Sequence, residues 1–246
     1  MKIAVVAVTR RGAATAKQAA AALSDSPGDR VDLLLPAKIA GAYPGALPYN
    51  RPLAELCGEL FHEYRCLVMV MALGIVFRLL APHIHDKRWD PAVVVLDERG
   101  QFAISALSGH LGGANDLARS LQKKLGSRAV ITTATDVHGL PAIDLLARDY
   151  NLLMEPFELV KHVNAAIVNG EPVHVYSETD LKGELPFKFD LKSMKSFATE
   201  GEVEGRHVLI TNKVMPDPPP GTLFLRPRNL VVGLGSRRGI DSAAVK

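Results

Sequence analysis

Three short segments of the chain are apolar without interruption: IAVVAV at residues 3–8, LVMVM at 67–71 and AVVVL at 92–96. A strand with one wet face alternates polar and apolar residues, because successive side chains point to opposite sides of the sheet. Unbroken runs therefore call for a sheet covered on both faces. The segments around them carry helical patterning. Residues 13–23 are rich in alanine, and 53–64 set Leu53, Leu56, Cys57, Leu60 and Phe61 on one helical face. Further helices are expected at 75–80, before Pro82, at 114–125, before Gly126, and at 142–150. Short strands are expected at 31–35, 102–106 and 129–133. Asp97-Glu98-Arg99-Gly100 reads as the turn of a hairpin between 92–96 and 102–106. Residues 38–50 contain Gly41, Pro44, Gly45 and Pro48 and read as a loop or an irregular lid. The expected fold over residues 1–150 is α/β: a three-layer, mostly parallel sheet with helices on both faces.

The pattern changes after residue 150. A helix at 157–168 stops at Asn169-Gly170, and short strands follow at 173–176, 208–211 and 223–225. Polar stretches such as 200–206 and the turn cluster 216–221 separate them. Residues 151–227 are therefore expected to form a second, smaller α/β domain. In 228–246 a strand, LVVGLG, enters a Gly-rich turn, and a helix begins near Ile240. This reads as a linker and the opening of a further, C-terminal domain.

Composition removes several function classes. Apolar residues make up 48% and charged residues 22% of the 246, an ordinary globular balance. The net charge of +3 suits a small anionic partner. No Lys/Arg-rich run with interleaved aromatics occurs, so nucleic acid is not an expected partner. The longest apolar run, 66–77, is closed by Arg78 and is too short to cross a bilayer. The N-terminus lacks the pattern of a signal peptide, so a cytoplasmic protein is expected. Cys57 and Cys66 show neither CxxC nor finger spacing and read as buried thiols. His83 and His85 stand two apart without a third ligand at metal spacing, so no metal site is expected there.

The segment Ser105-Ala106-Leu107-Ser108-Gly109-His110-Leu111-Gly112-Gly113-Ala114-Asn115 follows a strand and opens a helix. Its glycines permit close backbone approach to a ligand, and free N–H groups at a helix start attract anions. Ser108 and His110 add hydrogen bonding and proton transfer. The same glycines also suit a tight turn with close helix packing. The GxGxxG order and the Walker lysine are both absent, so the loop is a poor nucleotide fingerprint. Asp97 ends a strand, where a carboxylate serves equally as a base or as a turn cap. Thr133, Thr135 and Asp136 form a hydroxyl-rich loop suited to a polar substrate edge or to capping the next helix. Arg78 interrupts an apolar stretch and faces either solvent or an anion. Trp89, the single tryptophan, suits the core or the wall of a macrocycle pocket.

Several stretches resemble the CbiG family of cobalamin-biosynthesis proteins, the cobalt-precorrin-5A hydrolases. GIVFRLLAP, KRWDPAVVVLDERGQFAISALSGHLGGANDLA and VITTATDVHGLPAID are similar to its N-terminal domain. KHVNAAIVNGEPVHVYS resembles its middle domain, and LVVGLGSRRGI the start of its C-terminal domain, where Ser236 stands at a position often held by Cys in the family. The resemblance implies the anaerobic route to cobalamin. The δ-lactone of cobalt-precorrin 5A is hydrolysed to cobalt-precorrin 5B with release of acetaldehyde. Cobalt then arrives inside the substrate, and no cofactor of the protein's own is implied. The expected partner is the polycarboxylate tetrapyrrole. Other enzymes of the pathway are candidate partners, and a homodimer is left open.

Lactone hydrolysis needs an activated water, an oxyanion stabiliser and a proton for the leaving alkoxide. His110 is expected as general base or acid, oriented by Asp136 or Asp97, with Gly112 and Gly113 N–H groups facing the oxyanion. Attack by Ser108 is the covalent variant. Arg78, Ser105, Gly109, Asn115, Thr133 and Thr135 complete the expected substrate contacts. Two competing readings are a non-catalytic tetrapyrrole-binding module that needs a separate C-terminal domain and a nucleotide-dependent enzyme, the latter suggested by the alternating α/β pattern but lacking the phosphate fingerprints.

Overall fold

The computed structural model describes residues 1–24, 28–178, 189, 191–199 and 204–228. The strand expected in LVVGLG and the helix expected from Ile240 lie outside these residues. The chain divides into two compact units. One comprises Met1–Leu145 with Ile167–Gly170, the other Leu146–Ala166 and the described residues from Glu171 onward.

In the first unit the strands are β1 (Lys2–Ala7), β2 (Arg30–Pro36), β3 (Leu47–Tyr49), β4 (Cys66–Val70), β5 (Ala92–Leu96), β6 (Phe102–Leu107) and β7 (Arg128–Val130). Between them lie α1 (Arg10–Leu23), α2 (Ala37–Ala40), α3 (Leu53–Glu63), α4 (Leu73–Leu80) and α5 (Ala114–Leu125), with α6 (Ala134–Val137) after β7. The strands form one sheet in the order β3-β2-β1-β4-β5-β6-β7. All five residues of β4 and of β5 are buried. Alternation along each strand sends side chains to two cores. Ile3, Val5, Val68 and Val94 pack beneath Ala13, Ala16 and Ala19 of α1 and Leu117 and Leu121 of α5. Ala4, Val6, Leu67, Met69, Val93 and Val95 pack against Leu56 and Leu60 of α3 and Val76 and Leu80 of α4. This is the expected α/β layering. Each fully buried Val or Leu contributes about 1.5–3 kcal/mol.

Local chemistry sets the helix ends. Thr9 caps α1, its hydroxyl accepting from the Gly12 N–H at 3.0 Å. Gly126 ends α5 in the left-handed region, φ 75°, and donates its N–H to the Gln122 carbonyl. The segment expected as a loop, 38–50, instead holds most of α2 and the three-residue β3. Pro48 fits there because β3 is the sheet's edge, where a missing N–H costs no ladder bond.

One reversal positions the candidate site. β1 to β5 run parallel, β6 turns back antiparallel to β5, and β7 follows β6. Loops after β1, β4 and β5 therefore open on one edge of the sheet. Loops after β6 and β7 open on the opposite edge.

α7 (Ile143–Asp149) follows α6. β8 (Leu152–Glu155), α8 (Glu158–Asn169, its last three residues counted with the first unit), β9 (Val173–Ser177), β10 (Leu191–Ser193), α9 (Met194–Thr199), β11 (Arg206–Ile210) and β12 (Leu223–Pro227) follow in turn, the strands all in the second unit. Their sheet runs β10-β9-β11-β12-β8, parallel except for the β12–β8 pair. Tyr176 and Leu209 anchor a core there.

Candidate active site

The loop between β6 and α5 is built around close backbone approaches. Gly113, at φ 91°, occupies the N-cap position of α5, a conformation an L side chain resists. A Cβ on Gly112 would stand 2.4 Å from Ser108 Cβ and 2.7 Å from the Ser108 carbonyl oxygen, so only glycine fits. Ser108 takes a positive φ of 54°, and its hydroxyl is buried without a hydrogen-bond partner among the described residues.

His110 leaves this loop and meets the segment after β7. Its Nε2 lies 2.8 Å from Asp136 Oδ2 and 3.2 Å from Thr135 Oγ1, and its Nδ1 lies 3.2 Å from Asp144 Oδ2. Asp136 is held from three sides. Asn115 Nδ2 donates to Oδ2 at 2.9 Å, His110 faces the same oxygen, and Arg119 pairs with Oδ1. Asn115 is almost wholly buried. Besides the Asp136 bond it donates to Thr133 Oγ1 at 3.1 Å, and its Oδ1 accepts from Ser105 Oγ at 2.7 Å. Thr133 stands at the N-cap position of α6 but gives its side chain to Asn115, not to the helix.

Electrostatics follow from these contacts. Burial opposes charge on His110, but hydrogen bonds and the charges of Asp144 and Asp136 outweigh it and raise its pKa. Burial would raise the Asp136 pKa, yet Arg119 and His110 hold it below the ordinary carboxylate value.

Sequence reasoning and geometry agree in part. Ser105, Ser108, Gly109, His110, Gly112, Gly113, Asn115, Thr133, Thr135 and Asp136 come together at one edge of the sheet. Asp97 does not join them. Its carboxylate accepts from the Arg99 and Phe102 N–H groups and ties the hairpin turn. The turn lies at the other edge, a strand length of about 16–20 Å away for five or six residues, so Asp97 cannot orient His110. Arg78 does not join either: it is exposed on α4, on the sheet face opposite α5, and donates to the Gly74 carbonyl at 2.8 Å. The open helix start also needs correction. Gly113, Ala114 and Asn115 N–H groups donate to the carbonyls of His110, Ser108 and Gly109, so these amides of the helix start are spent within the loop. Asn115 and Ser105 spend their polar atoms on each other and on Thr133 and Asp136, so they hold the site together.

Sequence reasoning missed Asp144 and Arg119. Asp144 carried a signal: it is an acid among buried Ala142, Ile143, Leu146 and Ala147, where an unpaired charge is costly. Arg119 lies four residues after Asn115 on the same helical face.

Two sequence families match the chain consecutively. Cobalamin synthesis G N-terminal matches residues 55–136, and the cobalamin biosynthesis central region matches 141–227. The chain belongs to the cobalamin synthesis G family. Cobalt-precorrin-5A hydrolase of Priestia megaterium is 36% identical over 200 residues, covering 78% of this chain and 54% of that protein. The Salmonella typhimurium protein of the same name is 37% identical over 204 residues, covering 79% and 56%. This family member thus spans about half the length of these curated relatives. A crystal structure of a cobalamin biosynthesis protein G homolog from Sulfolobus solfataricus shares the fold. Its TM-score is 0.54 at 20% identity, covering 92% of this chain and 60% of that one. His110 and Asp136 fall within the N-terminal family match and Asp144 within the central one.

Proposed function

We propose that this chain hydrolyses the δ-lactone of cobalt-precorrin 5A in the anaerobic route to cobalamin, yielding cobalt-precorrin 5B and acetaldehyde. The names of the 36–37% identical relatives support the substrate. The observation that carries the chemistry is His110, held between two carboxylates at the glycine-rich turn. Lactone opening adds a water oxygen to the carbonyl carbon and breaks the ring C–O bond. The developing oxyanion needs a donor, for which the Gly112 N–H is suited. The leaving alkoxide needs a proton, and His110 is the group that can carry one. The freed hydroxyl then loses its proton, the C–C bond to the macrocycle breaks, and acetaldehyde departs while the macrocycle takes the electron pair.

Water is the favoured nucleophile. Among the described residues Ser108 Oγ has no hydrogen-bond partner, and His110 Nε2 faces Asp136 and Thr135 instead of Ser108. In this reading cobalt is part of the substrate and the protein brings no cofactor. The work is cytoplasmic, alongside other enzymes of the pathway. Among the described residues no helix is long and apolar enough to cross a membrane.

The test is His110→Ala, with the opened product followed by mass spectrometry and released acetaldehyde measured alongside. Turnover should fall by orders of magnitude while circular dichroism stays unchanged. Turnover like the wild type would remove His110 from the mechanism. Substrate binding by the wild type with no product would identify a tetrapyrrole-holding module instead.

A further inference from the structure

Resting on the hydrolase reading, we propose that Asp144 is the positioning residue that fixes His110 as the doubly protonated imidazolium, so that His110 donates a proton to the leaving oxygen and does not act as the base that activates water. Both ring nitrogens lie within hydrogen-bond reach of a carboxylate oxygen: Nδ1 at 3.2 Å from Asp144 and Nε2 at 2.8 Å from Asp136. An ionised carboxylate only accepts, so each contact requires an N–H on that nitrogen. A neutral imidazole has one N–H and would turn its lone pair toward the other carboxylate.

Asp136 is a poor place for that proton. Asn115 and Arg119 both donate to it, which keeps it ionised. Asp136 and Thr135 on α6 and Asp144 on α7 face the imidazole. Arg119 on α5 reaches it only through Asp136 and shares itself with Asp116. Two carboxylates thus contact the ring directly, while Arg119 acts on it through Asp136. The raised pKa of His110 agrees with that balance.

The consequence for the reaction is directional. An imidazolium has no lone pair with which to take a proton from water. The Nε2–H is shared between Asp136 and the longer contact to Thr135, and a substrate oxygen that displaces Thr135 receives the proton. The water oxygen bonds to the carbonyl carbon, the ring C–O bond breaks, and the Nε2 proton moves to the alkoxide. The attacking water gives up two protons to solvent: one reprotonates the ring, and the other stays in solvent because the product is a carboxylate. One water is consumed, and one hydroxyl and one carboxylate form.

The experiment titrates the His110 ring by nitrogen NMR in the full chain, with the signal assigned from the spectrum of His110→Gln. In the wild type both nitrogens should be protonated at pH 7. In Asp144→Asn the titration should move down by at least one pH unit, a tenfold change in the ratio of charged to neutral ring. Asp144→Glu should restore much of it. The high-pH limb of kcat should move with the titration. A His110 already neutral at pH 7 in the wild type, or a titration unmoved in Asp144→Asn, would overturn the proposal, and the wild-type measurement decides even if that variant does not fold. The titration needs no substrate. A charged His110 whose replacement leaves lactone opening intact would count against the hydrolase placement, with the role of Asp144 in holding the charge still standing.

Discussion

Replacing Asn115 with alanine should loosen the whole candidate site, and the size of the effect follows from its contacts. The variant loses the bond from Ser105 Oγ at 2.7 Å, the bond to Thr133 Oγ1 at 3.1 Å and the bond to Asp136 Oδ2 at 2.9 Å. A neutral hydrogen bond contributes a net of about 0.5–1.5 kcal/mol and one to a charged group about 1.5–3 kcal/mol. Asp136 keeps His110 and Arg119, and a water can enter beside Ser105, so the expected loss is about 2–4 kcal/mol. At roughly 2–4 °C per kcal/mol for a chain of this size, Tm should fall by about 5–15 °C. Urea unfolding followed by circular dichroism measures the free energy. A cycle with Ser105→Ala isolates one bond, with an expected coupling of about 0.5–1.5 kcal/mol. A loss below about 0.5 kcal/mol, or strict additivity in the cycle, would mean that Asn115 does not hold the site as argued.

Other perturbations separate the elements of the structure. Gly112→Ala would drive a Cβ into Ser108 backbone and side chain, so the loop must shift. The expected cost is about 1–3 kcal/mol, together with a changed His110 nitrogen spectrum; an unchanged spectrum would refute the packing argument. Leu67→Ala removes a fully buried side chain from the core beneath α3 and α4. It should cost about 2–5 kcal/mol in urea unfolding without moving the His110 titration. Stability should also depend on pH in two directions. The raised pKa of His110 gives a contribution fully present below its ordinary 6.5 and lost as pH rises through the raised value. The lowered pKa of Asp136 gives one present above its ordinary 3.8 and lost as pH falls through the lowered value. The stability difference between wild type and His110→Gln should therefore shrink toward alkaline pH, and a constant difference would contradict the charged ring.

The layering was legible because periodicity reports burial directly. The unbroken runs in β1, β4 and β5 demanded two covered faces, and the two cores supply them. Gly126 was legible as a stop because a left-handed C-cap favours that residue. Short elements such as β3 and α6 were not, since three or four residues carry no periodicity and form only because a neighbouring strand or helix is already in place. The site was half legible. The glycines and His110 stand in one stretch of unusual composition, and Asp136 stands in the hydroxyl-rich loop after β7. Asp144 hides in an apolar helix, where only its buried position reveals that it needs a partner.

The position of Asp97 shows what a local pattern omits. The hairpin between β5 and β6 forms as its sequence predicts, with the expected turn residues. The same hairpin reverses the direction of every later strand in the sheet relative to every earlier one. A rule that searches beyond the carboxyl ends of strands then points to two opposite edges, not to one crevice. The loops after β1, β4 and β5 belong to one edge, and those after β6 and β7 to the other. Asp97 and His110 are only thirteen positions apart, yet the strand between them spends that distance crossing the sheet. Asp144, thirty-four positions from His110, returns to it because the chain after β7 stays at the same edge. Proximity at this site is thus decided by strand direction, and a carboxylate on the far edge is excluded from proton transfer however well its type suits the chemistry.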